Sequence, residues 1–155
     1  MGLVRLSVLL AALALAGSAL AAGTSQKQLA VLGGEPEKVR ACLPLKEGEP
    51  FYLEFVNSIY LAPVRESLVY TDAEGMFVVR VESPSAGVFE YYGLETDGTG
   101  SAALRRRIGE IRLRSFSYEH HRLTAGGKTL HLREVAVGGE PLVIRVRASD
   151  RDCEP

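Results

Sequence analysis

The residues best placed to do chemistry lie in the segment from Phe51 to Glu66. An aromatic strand is predicted to end at Asn57-Ser58, Pro63 interrupts the ladder, and Glu66 opens the next strand. A hairpin of this shape brings an amide, a hydroxyl and a carboxylate close together, which would suit a polar ligand. The same side chains could instead tie the connection together, since Asn and Ser often bond their own backbone at turns. Both readings stay open on the sequence.

A second candidate is the aromatic pair Tyr91-Tyr92 beside Glu90, which could line a shallow pocket with polar groups at its rim. On a strand, adjacent side chains point to opposite faces, so the alternative is one core tyrosine and one exposed tyrosine. The binding hypothesis therefore rests on a small set of residues: Asn57, Ser58, Tyr60, Glu66, Tyr91 and Tyr92.

No residue is predicted to be catalytic. Ser58 lacks an evident histidine base, and the chain has no Gly-x-Ser-x-Gly motif. His120 and His121 diverge if they lie on a strand, and His121 could face His131 across a hairpin, but a third zinc ligand is missing. We expect solvated histidines, no metal and no cofactor.

The basic run Arg105 to Arg107 follows a stretch rich in Gly, Thr and Ser. Arginines in such a run form a solvated edge, which discourages sheet edges from pairing with other chains. The alternative is a contact with anionic lipid or an acidic partner.

The cysteines, Cys42 and Cys153, are the only two in the chain. In an oxidising compartment such a pair is read as a disulfide. It would close a loop of about 110 residues, worth on the order of 4 kcal/mol in the chain-entropy model. The alternative is a buried thiol at position 42 and a free thiol near the C-terminus.

The N-terminus is typical of a signal peptide. Met1 to Arg5 carries one cation, Leu6 to Ala16 is almost wholly apolar, and Ala19-Leu20-Ala21 fits the small-x-small cleavage rule. We expect cleavage after Ala21 and an extracytoplasmic location, periplasmic or secreted; an uncleaved anchor is the alternative. The predicted organisation is a signal peptide over 1–21, a flexible leader over 22–27 and a β domain over 28–155.

Charge and hydropathy limit the partners of the mature chain. Removing residues 1–21 takes away one of the 18 basic residues and none of the 19 acidic ones, which leaves a net charge of −2. That balance argues against nucleic acid. No second long apolar stretch follows, so we expect no membrane span after the signal peptide.

Apolar residues alternate with period two through most of the chain, for example in residues 51–56, 77–82 and 142–147. Glycine-containing turn signals, such as Glu74-Gly75 and Gly126-Gly127, separate these runs. The pattern predicts one all-β domain, an antiparallel β-sandwich or a partly open barrel built from hairpins. The interior stretch Thr96 to Ala103 is the most loop-like, and a short helix is expected at the start of Ala103 to Arg114.

Two segments carry a resemblance to a known family. Asn57-Ser58 with Pro63-Val64 and Glu66, and the later segment from Ser83 to Gly93, resemble the bacterial domain of unknown function 1850 family over residues 30–147. The resemblance implies a small exported protein without assigned activity. Some family members are encoded beside tripartite solute transporters of the TAXI type. Many members carry His where Asn57 stands, and an amide cannot replace imidazole in proton transfer near neutral pH.

These observations leave three functional hypotheses. The first is a non-catalytic binding or accessory module that takes a small polar solute or a membrane transporter subunit as its partner. The second is a small extracytoplasmic hydrolase or ligand-processing enzyme, which would need a deep pocket joining Glu66 to a histidine or to Ser58. The third is a structural envelope protein with no concave pocket.

Overall fold

A computed structural model describes residues 26–96, 98–149 and 153. Within these residues the chain forms strands, one short α-helix and a 3-10 turn at Leu132–Glu134. The elements run in the order β1 (Lys27–Gly33), β2 (Lys38–Leu45), β3 (Pro50–Asn57), β4 (Ala62–Thr71), β5 (Gly75–Glu82), α1 (Ala86–Tyr92), β6 (Ser101–Ile108), β7 (Ile111–Arg114), β8 (Arg122–Ala125), β9 (Lys128–His131) and β10 (Pro141–Ala148).

The strands form two antiparallel sheets that are not closed into a barrel. The smaller sheet has the order β2-β1-β10-β7, and the larger has the order β6-β5-β4-β3-β8-β9. The prediction of an all-β antiparallel sandwich is confirmed. Of the two predicted architectures, a sandwich and a partly open barrel, the structure adopts the sandwich.

The core lies between the sheets and follows from the period-two pattern. In β10, Leu142 and Ile144 are buried, and in β3, Phe51 and Leu53 are buried. Side chains from both sheets belong to one apolar cluster. Its completely buried members are Leu29, Val31, Leu68, Val81, Val88, Leu123, Leu132 and Ile144.

The segment singled out by the sequence is a hairpin, as predicted. Strands β3 and β4 pair with Leu53 opposite Glu66 and Asn57 opposite Ala62. The turn between them covers residues 58–61, and Leu61 adopts a φ of 50° there. A positive φ is unusual for Leu.

The predicted helix at the start of Ala103 to Arg114 is wrong, and the loop-like stretch ends earlier than expected. Ser101–Ile108 is strand β6 and Ile111–Arg114 is strand β7. The apolar residues Ala102, Leu104 and Ile108 follow a two-residue period toward the core. Arg106 occupies the third position of that series, between Leu104 and Ile108, and its charge hides the strand pattern.

The strand expected at Tyr91-Tyr92 is also wrong, because both residues belong to α1. Helix α1 buries Val88 and Phe89. It ends at Gly93, whose φ of 67° is left-handed and whose N–H donates to the carbonyls of Glu90 and Phe89. This termination is the usual glycine C-terminal motif.

Cys42 and Cys153 form a disulfide, with 5.5 Å between their Cα atoms and a separation of 111 residues. The bond ties β2, an outer strand of the smaller sheet, to the C-terminal segment. The predicted signal peptide over residues 1–21 lies outside the described residues, and β1 begins at Lys27. No helix among the described residues has the length and hydropathy needed to cross a membrane.

Candidate functional site

A cavity of about 500 Å³ brings together five of the six residues of the binding hypothesis. These five are Asn57, Ser58, Glu66, Tyr91 and Tyr92. The remaining lining residues were not predicted: Phe55, Val56, Arg106, Arg114, Ser115, Phe116 and His121. The cavity thus gathers side chains from the β3–β4 hairpin, α1, β6, the end of β7 and the segment before β8.

Glu66 reaches the cavity because it occupies an inward position of β4. Val64 and Leu68, two residues to either side, are buried in the core, and Leu53 opposite is buried as well. Side chains two apart on a strand share a face, so the Glu66 carboxylate points between the sheets. Arg106 lies on the core-facing side of β6 in the same way, between Leu104 and Ile108.

The Glu66 carboxylate accepts a short hydrogen bond from the hydroxyl of Tyr92. Burial raises the pKa of Glu66 above its ordinary 4.5, while the Tyr92 hydroxyl and the charge of Arg106 oppose the rise. Burial and then the Glu66 carboxylate raise the pKa of Tyr92 far above its ordinary value. The tyrosine therefore stays protonated and donates.

Two arginines of the cavity are fixed by backbone carbonyls. Arg106 donates from Nη2 to the carbonyl of Tyr92 at 2.9 Å, and Arg114 donates from Nε to the carbonyl of Gly139 at 3.2 Å. Neither guanidinium lies within 4.0 Å of a carboxylate oxygen of a described residue. Since a guanidinium has five N–H donors, each keeps donors for a further acceptor.

Asn57 takes the structural role that the sequence left open. It is 7% exposed, and its Oδ1 accepts the backbone N–H groups of Ile59 at 2.9 Å and Tyr60 at 3.0 Å. This is the backbone-mimicking turn typical of Asn. The side-chain amide still lines the cavity, so Asn57 both shapes the turn and contributes to the wall.

Tyr60 is the member of the binding hypothesis that does not line the cavity. Its ring packs on Gly87 in α1 so closely that a Cβ atom at that glycine would overlap it. Tyr60 is 40% exposed. It holds the turn against α1, which places Ser58 and Tyr91 on the same cavity.

His121 lines the cavity and packs among aromatic side chains. Its ring stacks on Phe55 at 6.1 Å between centroids and meets Tyr118 edge-on at 5.2 Å. Its Nδ1 is buried without a hydrogen-bond partner among the described residues. Burial, and then the charge of His120, lowers the pKa of His121 below 6.5. The ring is therefore neutral at neutral pH.

The mouth of the cavity carries two exposed aromatic side chains. Tyr91 is 63% exposed and Phe116 is fully exposed. Tyr91 also meets Tyr92 edge-on, at 5.7 Å between ring centroids. Aromatic rings open to water with polar groups beneath them are typical of ligand pockets.

A larger groove of about 580 Å³ lies beside this cavity, and its lining includes His120 and His131. Four charged side chains of the groove form two ion pairs. The Nε atom of Arg122 lies 3.2 Å from Oε2 of Glu54, and the Nε atom of Arg65 lies 4.0 Å from Oε2 of Glu82. Strand pairing sets His131 opposite Arg122 and leaves His121 outside the ladder. Among the described residues, no group of three His, Cys, Asp or Glu is arranged to hold a metal ion.

Among the described residues, Ser58 is not arranged as an activated nucleophile. A nucleophile needs a base within hydrogen-bond reach, and the Ser58 hydroxyl makes no hydrogen bond to any described residue. His121 and Glu66 share the cavity but do not bond each other. What remains is a set of oriented donors, one carboxylate and several rings.

The binding hypothesis from the sequence left out Arg106, Arg114, Phe116 and His121; it considered Arg106 only within the basic run and His121 only as a partner for His131. The available signal for Arg106 was a charge at an inward position of a strand. Phe116 was visible as a large aromatic residue between two serines in a loop. The other two residues come from segments far from the hairpin in sequence, and only the fold brings them to it.

Comparison with known protein families, with curated proteins and with solved structures finds no match for this chain.

Proposed function

We propose that this protein is a non-catalytic binding module that takes a small polar solute into the cavity between Glu66, Tyr91 and Arg114. The observation that supports the proposal is the cavity itself, which is about 500 Å³. Cavities of 300–1,000 Å³ are typical of small-molecule sites. The Glu66–Tyr92 hydrogen bond and the two carbonyl-bound arginines orient its polar groups before any ligand arrives.

A solute screen tests this proposal. Protein purified from the periplasm of a bacterial host would be mixed with pools of polar solutes, and binding followed by thermal shift and by amide chemical-shift changes in NMR. We expect at least one solute to raise the melting temperature and to shift amides of Tyr91, Phe116 and His121. Tyr91→Ala should weaken binding, while Glu90→Ala, an exposed neighbour, should not. Shifts confined to other surfaces would contradict the proposal.

The module is proposed to act outside the cytoplasm as an accessory of a membrane transporter. This part rests on the signal-peptide pattern and on the resemblance of Asn57-Ser58, Pro63-Val64 and Glu66 to exported family members. The Cys42–Cys153 disulfide agrees with an oxidising compartment. A mass measurement on the periplasmic protein should show loss of residues 1–21. The full-length mass would instead indicate a retained anchor.

Affinity capture from the native cell envelope tests the partner. We expect the wild-type protein to recover a transporter subunit and Glu66→Ala to recover less, because the substitution alters the cavity wall. Recovery of other envelope proteins alone, with both forms folded, would contradict the accessory role. The solute-binding proposal would stand independently.

A second candidate is a ligand-processing enzyme, because Ser58, Glu66 and His121 line the same cavity. The shifted pKa values of Glu66 and His121 are also typical of catalytic groups. This candidate requires product formation from a bound solute, with loss of turnover in His121→Gln. If the bound solute is unchanged after prolonged incubation, the enzyme candidate is contradicted and the binding module stands. A structural envelope role is the third candidate, and a solute-saturable cavity would exclude it.

A further inference from the structure

The charges around the cavity are unbalanced in favour of positive charge. Arg106 and Arg114 are cationic, Glu66 is the lone acid among the lining residues, and His121 is neutral near pH 7. Even with Glu66 ionised, the lining carries a net positive charge. Protonation of Glu66, which burial favours, would increase that charge further.

The two arginines also differ from most others in the described chain, which are ion-paired. Six arginines elsewhere lie within 4.0 Å of a carboxylate: Arg40, Arg65, Arg105, Arg112, Arg122 and Arg145. Arg106 and Arg114 instead each donate a hydrogen bond to a backbone carbonyl, which orients the planar guanidinium group. An oriented guanidinium with unused donors matches the geometry of a carboxylate.

The rest of the lining is largely aromatic. Five rings contribute to it: Phe55, Tyr91, Tyr92, Phe116 and His121. Phe116 is fully exposed and Tyr91 nearly two-thirds exposed, so both offer ring faces or edges to a ligand. Planar ligands gain offset-stacked or edge-to-face contacts against such rings, in addition to the area they bury.

We propose that the solute taken by this cavity is an aromatic organic anion, with its acid group on Arg106 and Arg114 and its ring against Tyr91 and Phe116. This inference rests on the proposed solute-binding function and names the ligand class. The competing possibility is an aromatic cation held by the same rings, since cations bind ring faces. The two arginines repel a cation, and Glu66, the one acid in the lining, already accepts a hydrogen bond from the Tyr92 hydroxyl at Oε1.

Three probes that share one ring system separate these ligand classes: 2-naphthoate, 2-naphthamide and 2-naphthylmethylamine. Their dissociation constants for the periplasmically purified protein would be measured by titration calorimetry at pH 7. We expect the acid to bind at least tenfold more tightly than the amide and the amine. Octanoate, an acid without a ring, should bind at least several-fold more weakly than 2-naphthoate.

Arg114→Gln is the main variant, because Arg114 is exposed and its loss leaves the core intact. It should weaken 2-naphthoate about tenfold and leave 2-naphthamide unchanged. Arg106→Gln should act in the same direction. Arg107→Gln is the matched control, since Arg107 lies next along β6 and does not line the cavity. Its affinity should equal that of the wild type.

Equal affinity for acid, amide and amine would overturn the inference while leaving solute binding intact, and preference for the amine would establish the cationic class instead. If none of the three binds but the solute screen finds another ligand, the inference fails and the proposed function stands. If that screen also finds nothing, both fail.

Discussion

Glu66 is the residue on which the site depends most. A carboxylate on the inner face of a sheet loses hydration and becomes costly unless it is hydrogen-bonded or protonated. Here the Tyr92 hydroxyl supplies one hydrogen bond and Arg106 supplies a favourable charge. Burial outweighs both, so the pKa of Glu66 is raised. The residue is thus kept at an expense in stability, which is typical of binding sites.

The raised pKa gives Glu66 a pH-dependent effect on stability. Because the unfolded chain releases this proton first, the free energy of unfolding falls as the pH rises from 4.5 through the raised pKa. Each unit of pKa shift corresponds to about 1.4 kcal/mol above that window. We expect Glu66→Gln to gain stability relative to the wild type across it. Urea unfolding at several pH values measures this, with Glu90→Gln as the control. A pH-independent difference would contradict the prediction.

His121 affects the free energy of unfolding with the opposite dependence on pH. Its pKa is lowered by burial, so the folded protein holds the ring neutral, and stability is lost as the pH falls from 6.5 through the lowered pKa. An NMR titration of the imidazole resonances should show His121 taking up its proton below pH 6.5. His121→Gln assigns the signal. Titration above 6.5 would mean that the ring is not buried against Phe55 and Tyr118.

At the scale of elements, α1 contacts the β3–β4 turn through the packing of the Tyr60 ring on Gly87. Replacing Gly by Ala within a helix normally stabilises it by about 0.5–1 kcal/mol. At Gly87 the added methyl group would overlap the Tyr60 ring. We expect Gly87→Ala to destabilise the protein, and to stabilise it in a Tyr60→Ala background. A double-mutant cycle by thermal or urea unfolding measures this coupling. Gly109→Ala, with open space around it, is the uncoupled control.

Strand β6 is an outer strand of the larger sheet and carries the basic run Arg105 to Arg107. Exposed strand edges tend to pair with other chains, and charged side chains prevent this. We expect Arg105→Thr with Arg107→Thr to produce concentration-dependent association in light scattering. The pair Arg80→Thr with Arg122→Thr removes the same charge from the inner strands β5 and β8 and should stay monodisperse. Equal behaviour of the two pairs would assign the effect to net charge.

These elements also show what the sequence can and cannot reveal. Period two predicted β3, β5 and β10 because their faces are cleanly divided between core and solvent. It failed in β6, where Arg106 occupies an inward position as part of the site. It failed again at α1, which buries two residues and ends at Gly93. A helix this short does not show a 3.6-residue period. The sequence predicted the lining of the cavity only in part, because Arg114, Phe116 and His121 reach it through tertiary contacts.

For the whole molecule, the two sheets are joined through their shared core, and the disulfide ties β2 of the smaller sheet to the segment that follows β10 of the same sheet. The Cys42–Cys153 bond closes a loop of 111 residues, which encloses nearly all the described strands. A loop of that length restricts the unfolded chain strongly, by an amount on the order of 4 kcal/mol in the chain-entropy model. Domains are stable by only about 5–15 kcal/mol, so the bond supplies a large share.

We expect Cys42→Ser with Cys153→Ser to lower the free energy of unfolding by about 2–5 kcal/mol, measured by urea unfolding, because the unfolded chain regains its freedom. The wild type in reducing agent should behave in the same way, whereas the double variant should not respond to the agent. Neither cysteine lines the cavity, so ligand affinity at low temperature should be unchanged. If the oxidised and reduced forms are equally stable, the prediction is wrong and the disulfide does not stabilise the protein by restricting the unfolded chain.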